Sequence, residues 1–185
     1  SAWGGRDPAA QWARPWDGKW RMVLFDLPVG RQLVRQQLLR WLRKNGFGYL
    51  QDSVWIHTEP LSEVAETLAE YRDDVESLTI MEAQCCAGYS NEALVRGAWD
   101  FEEINQRYAA YLDNFGRQTP AFARSRLGFG RASQWLRQER AAWNRAVSLD
   151  PFLPRVLLPQ GYRGVTAWQA RGRMLRALGK QLVSS

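Results

Sequence analysis

Between residues 21 and 90 the chain switches repeatedly between short apolar runs and stretches of helical spacing, and that alternation leaves few folds open. Arg21 to Leu27 (RMVLFDL) is a short apolar run closed by Pro28 and Gly30, which predicts a strand. From Gly30 to Asn45 the residues Val34, Leu38, Trp41 and Leu42 recur at helical spacing, with Arg31, Arg35, Gln36, Arg40 and Arg43 between them. Gly46 sits where a helix C-terminal cap belongs. Phe47 to His57 (FGYLQDSVWIH) predicts two strands, or one bent strand, interrupted near Gln51 and Asp52, with Asp52 as a turn residue. Leu61 to Asp74 predicts a second helix, with Val64, Leu68, Tyr71 and Val75 on one stripe, and Ser77 to Cys85 predicts a last strand. The order β-α-β-β-α-β is the split-βαβ, or ferredoxin-like, pattern: two helices over one face of a four-stranded antiparallel sheet. The other face then needs a cover, from a dimer partner or from the second half of the chain.

The second half predicts helices. Asp100 and Glu103 form a capping-box-like start, Ile104, Tyr108, Tyr111, Leu112 and Phe115 follow at helical spacing, and Gly116 closes the helix. Thr119 and Pro120 open a second helix running to about Ser148, with Phe122, Phe129, Leu136, Trp143 and Val147 as its apolar stripe. The three prolines of DPFLPRVLLP at 150–159 exclude a regular helix there. Val165 to Val183 predicts the last helix, with Trp168, Leu175, Leu178 and Leu182 inward. The expected fold class is therefore α+β: a ferredoxin-like βαββαβ domain over 21–90, then an all-helical domain over 91–185. Residues 1–20 are rich in Gly, Pro and Trp, have no helical or strand period, and predict an ordered linker. Trp3, Trp12, Trp16 and Trp20 are costly to expose, so they are expected to pack onto a neighbouring domain.

A chain of 185 residues is large enough to bury a core without disulfide or metal staples. No run approaches the length of a membrane span, and the N-terminus lacks a charged-then-apolar leader, so a cytoplasmic protein is expected. Cys85 and Cys86 are adjacent, a spacing at which bridging strains the intervening peptide, and with His57 as the one histidine a Cys/His zinc site is excluded. The net charge of +6 is unevenly placed. Residues 1–99 hold 11 Lys and Arg against 13 Asp and Glu, while residues 100–185 hold 14 against 6. Nearly all of this positive charge is arginine, the residue suited to planar contacts with phosphate and carboxylate.

Four features bear on chemistry. Asp26, at the end of the first strand, is a candidate Mg²⁺ carboxylate, though a nuclease centre needs more oxygen ligands, which a symmetric dimer would have to supply; the simpler reading is a helix cap. Between Arg117 and Arg145 seven arginines face one acid, Glu139. Arg124, Arg126 and Arg131 are the candidate ligand or phosphate contacts of this segment, against the alternative of a solvated helix face. The ten tryptophans fall mostly on apolar stripes and read as core. His57, at a strand end, reads as structural, and no Walker or dinucleotide glycine loop is present.

WDGKWRMVLFDLP at 16–28 and GFGYLQDSVWI at 46–56 resemble the middle domain of the PaaX family, repressors of phenylacetate-degradation operons. LVRGAWDFEEINQRYAAYL at 94–112 and DPFLPRVLLPQGYRG at 150–164 resemble that family's C-terminal domain. The middle domain is in turn similar to the small CRISPR-associated spacer-acquisition nuclease, a ferredoxin-like dimer; the shared parts are the LFDLP strand end with Asp26 and the QDSVW strand. The resemblance implies a bacterial transcriptional regulator rather than an enzyme. It implies a homodimer released from operator DNA by an aryl-CoA thioester such as phenylacetyl-CoA, and a winged-helix DNA-binding domain ahead of residue 1. In that setting Arg124, Arg126 and Arg131 are expected to hold the CoA phosphates. No cofactor other than the acyl-CoA effector, no metal and no membrane partner is expected. Two other readings stand beside it: a metal-dependent nuclease using Asp26, and a module that binds DNA non-specifically through the arginine helix.

Overall fold

A computed structural model describes residues 7–26, 30, 32–61, 77–86, 88–116 and 129–183, the side chains of 129–131 and 181–183 excepted. The helix expected over 61–74, apart from Leu61, and the start of the one expected from Thr119 lie outside these residues. The chain divides into two compact units. The first comprises 1–100 together with 151–159, and the second comprises 101–150 together with 160–185.

The first unit is built on four strands: β1 (Trp20–Asp26), β2 (Gly48–Gln51), β3 (Val54–His57) and β4 (Ser77–Ala83). They pair antiparallel throughout, in the order β2-β3-β1-β4. Asp52 has a φ of 46° in the turn joining β2 to β3, a conformation Asp tolerates better than most residues. Successive β1 side chains alternate between faces. Val23 and Phe25 join Trp55, Phe47 and Leu61 against Leu38 and Leu42 of α2 (Gln32–Lys44). Arg21, also buried, is held at the sheet end by Asp17 (2.5 and 2.8 Å) and by the carbonyl of Thr58 (3.3 Å).

The opposite face is partly covered by an element the sequence does not announce, α3 (Asn91–Ala98), whose N-cap Ser90 accepts from the Ala93 amide. Trp99 follows it. Its ring lies 6.2 Å from that of Trp20, and its indole N–H donates to the Gly46 carbonyl at 3.2 Å. Gly48 is what lets this helix approach the sheet. A Cβ there would fall 2.6 Å from Trp99 and 2.7 Å from Ala98. The rest of the face, Met22, Leu24 and Val54, is half-buried, and Met81 is 42% exposed.

Residues 7–19 hold one regular element. Pro8–Ala13 forms a short helix, α1, with Asp7 as N-cap accepting from the Ala9 amide and Pro8 pre-set for the first turn. These cap residues outweigh the missing apolar period. Trp12 lies 5.9 Å from Phe152 and Trp16 lies 5.3 Å from Trp20. Trp3 lies outside the described residues.

The second unit holds α4 (Phe101–Tyr111), α5 (Phe129–Ala146) and α6 (Gly164–Val183). The segment expected to continue α4 widens instead into a π-helical turn, Leu112–Gly116. Ile104, Tyr108 and Tyr111 of α4 are buried, as are Ala167, Ala170, Met174 and Leu178 of α6. On α5 the buried stripe runs through Ala132, Glu139, Trp143 and Ala146, while Leu136 and Val147, expected inside, are only half-buried. The proline-rich 150–159 stretch contains only a single 3-10 turn, Arg155–Leu157.

Candidate functional site: a buried carboxylate hub beside a cationic cleft

The apolar stripe of α5 carries a carboxylate. Glu139, four residues before Trp143 and seven after Ala132, is 1% exposed. A buried charge of this kind is tolerated only when paired and hydrogen-bonded. Arg171 of α6 meets it through Nε at 2.7 Å and through a second nitrogen at 3.2 Å, and the Tyr111 hydroxyl donates to it at 2.7 Å. The guanidinium also lies over the rings of Trp143 (5.0 Å) and Trp168 (5.8 Å), a geometry that favours a cation on aromatic faces. Burial, and then the hydrogen bond to Glu139, push the Tyr111 hydroxyl well above the usual tyrosine range.

A second buried carboxylate closes the other end of the unit. Asp150, 2% exposed, accepts from the hydroxyls of both Tyr108 and Tyr162. Burial, and then the Asp150 charge, raise Tyr108 far above its ordinary value. The two carboxylates thus tie α4, α5, α6 and the turn before α6 into one hydrogen-bonded set.

Between α4 and α5 lies a partly open cleft of about 430 Å³. Its α4 side is Arg107, Ala110 and Tyr111, continued by Asn114 of the π-turn, and its α5 side is Ala142, Arg145 and Ala146. The lining thus combines three small apolar residues with two arginines. Arg107 is fixed by Glu103 at 2.7 Å and by Ser148 at 2.6 Å, so its guanidinium is oriented in advance. Tyr111 belongs to both features: it borders the cleft, and its hydroxyl donates to Glu139.

Arg124 and Arg126 lie outside the described residues, and of Arg131 only the backbone is described, in the first turn of α5. Asp26 is exposed at the end of β1, opposite Ser77. Among the described residues no three His, Cys, Asp or Glu side chains gather to hold a metal. His57 is buried against Phe47 (4.7 Å between ring centroids), and its Nδ1 accepts from the Glu59 amide at 3.1 Å, a structural role. Both cysteines are free. Glu139, Arg171, Asp150 and Arg107 were not singled out as site residues from sequence. Their one signal was Glu139 itself, a lone acid among arginines at helical spacing from Trp143.

Comparison with known proteins bears on both units. Residues 13–95 match the family described as PaaX protein central Cas2-like domain, and residues 99–182 match the family described as PaaX-like protein C-terminal domain. The chain belongs to the PaaX family. It is 29% identical over 168 residues to the transcriptional repressor PaaX of Escherichia coli (strain K12), an alignment covering 83% of this chain and 50% of that one. This PaaX-family chain therefore spans about half the length of that repressor. An uncharacterized Mycobacterium tuberculosis protein, Rv0674, shares the fold with a TM-score of 0.61 at 21% identity, over 94% of this chain and 66% of its own. No described helix is long and apolar enough to cross a membrane.

Proposed function

We propose that this chain is the ligand-responsive core of a cytoplasmic bacterial transcriptional repressor, without enzymatic activity. In this reading it dimerises and senses an aryl-CoA thioester such as phenylacetyl-CoA, whose binding releases operator DNA. The observation that carries the reading is the consecutive match of both units to the two PaaX domain families, together with the similarity to a named transcriptional repressor. The alignment takes in only 50% of that relative, so operator contact is assigned to a winged-helix domain beyond these residues, with 1–20 as the approach to it. The antiparallel order β2-β3-β1-β4 supports a ferredoxin-like arrangement for 21–90, with its second helix within 61–74. The helical domain over 91–185 takes the effector, and Arg124, Arg126 and Arg131 hold its phosphates by charge-assisted hydrogen bonds.

Calorimetric titration of the chain with phenylacetyl-CoA and a series of other acyl-CoAs tests this reading. Saturable binding of an aryl-CoA in preference to short-chain acyl-CoAs is the expected result. An absence of heat with every thioester would remove the ligand assignment.

A further inference from the structure

We propose that the cleft between α4 and α5 binds a small organic anion, with Arg107 and Arg145 on its carboxylate or phosphate and its apolar body on the alanine floor. The inference rests on the ligand-sensing reading above and gives it a site. Arg107 and Arg145 both line the cleft, and Glu103 offsets one of these two charges, which leaves the lining net positive. Arg107 is already held by Glu103, Ser148 and the Arg145 carbonyl, so little side-chain freedom is lost when an anion meets its charge and its remaining N–H. Arg145 is exposed on α5 and supplies the second fork.

Ala110, Ala142 and Ala146 line a slot of about 430 Å³, within the range of small-molecule sites, and Tyr111, itself buried against Phe115 and Trp143, borders it. Asn114, seven residues beyond Arg107, adds a polar group to the lining. An anion with a small apolar body finds a partner in each part of this lining. Tyr111 then carries the state of the cleft inward, because moving its ring moves the hydroxyl that Glu139 accepts from, and Glu139 is the partner of Arg171 on α6. Occupancy is thereby coupled to the bond network that joins the three helices.

The test is calorimetric titration of the 185-residue chain with phenylacetate, CoA and phenylacetyl-CoA, repeated on Arg145→Ala and on Arg140→Ala. Arg140 is exposed on the same helix but does not line the cleft. Loss of one charge-assisted contact is expected to weaken the bound anion about tenfold or more in Arg145→Ala and to leave Arg140→Ala within about twofold. Heat with phenylacetate alone identifies a carboxylate in the arginine fork, and heat with CoA alone identifies a phosphate. Binding that is unchanged in Arg145→Ala overturns the cleft while leaving thioester sensing intact. Arg145-dependent binding of phenylacetate or CoA without any of the thioester keeps the cleft and removes the thioester reading. No heat from any of the three overturns the cleft outright.

Discussion

Glu139 shows what one side chain can demand of its surroundings. An ionised carboxylate at 1% exposure is stable only because Arg171 and Tyr111 reach it from two other helices. Glu139→Gln keeps the shape and removes the charge, leaving Arg171 without its counter-ion in a largely apolar setting. The expected cost is about 3 kcal/mol, seen as a lower denaturant midpoint with an unchanged slope. A midpoint equal to that of the parent would mean that the pair contributes no net stability. The tyrosines set the response to base. Tyr108 and Tyr111 titrate higher in the folded chain than the ordinary value of 10.0, so the unfolded state loses these protons first. Their contribution is whole below pH 10.0 and declines as pH rises beyond it. Alkaline titration followed by near-UV dichroism should show loss of the second unit beginning above that point. Tyr111→Phe should flatten this alkaline decline while lowering stability at neutral pH, since Glu139 loses a donor.

At the scale of elements, the close approach of α3 to the sheet depends on the absence of one side chain. Gly48→Ala would set a methyl 2.6 Å from the Trp99 ring, and neither the strand nor the indole has room to yield. A loss of about 1–3 kcal/mol is expected, with a shift in tryptophan fluorescence as Trp99 leaves Trp20; an unshifted spectrum would contradict the packing. Elements of this kind separate what is legible in sequence from what is not. The runs RMVLFDL and FGYLQDSVWIH predict strands that fold within a residue or two of their expected bounds, because short apolar runs ended by turn residues admit few alternatives. The helices at 8–13 and 91–98 were not legible. They rest on the caps Asp7 and Ser90 and on contacts such as Trp12 with Phe152, which are distant in sequence. On α5 the expected apolar stripe meets the buried face at Trp143, while a rule that seeks apolar residues passes over Glu139 on that same face. The cleft was invisible for a related reason: alanines mark a void only when two helices are seen side by side.

At the scale of the whole molecule, the two units interleave along the chain. Residues 151–159 return to the first unit after fifty residues of the second, and Phe152, Leu153 and Leu157 are buried there. Phe152 adopts a φ of 50°, a conformation that costs a bulky residue of order 1–3 kcal/mol and persists because the surrounding packing holds it. Phe152→Ala is expected to destabilise the first unit by about 3 kcal/mol. Hydrogen exchange locates the effect: amides of β1, β3 and β4 should exchange faster, while those of α4 and α6 keep their rates. Equal acceleration in both sets would show that the units unfold together.

That return of the chain has a temporal meaning. The four strands and α3 are synthesised well before the segment that finishes their core. At roughly 5–20 residues per second, ribosomal synthesis separates Trp12 from its partner Phe152 by several seconds or more. Throughout that interval the nascent sheet presents an indole and a half-covered face to whatever surrounds the ribosome. The second unit is interrupted in turn, because α6 follows all of its other helices in the chain and brings Arg171, the cation that Glu139 has been waiting for. Neither unit reaches its final form before its late segment emerges, so maturation of both waits on residues 151–183 rather than on the strands made first.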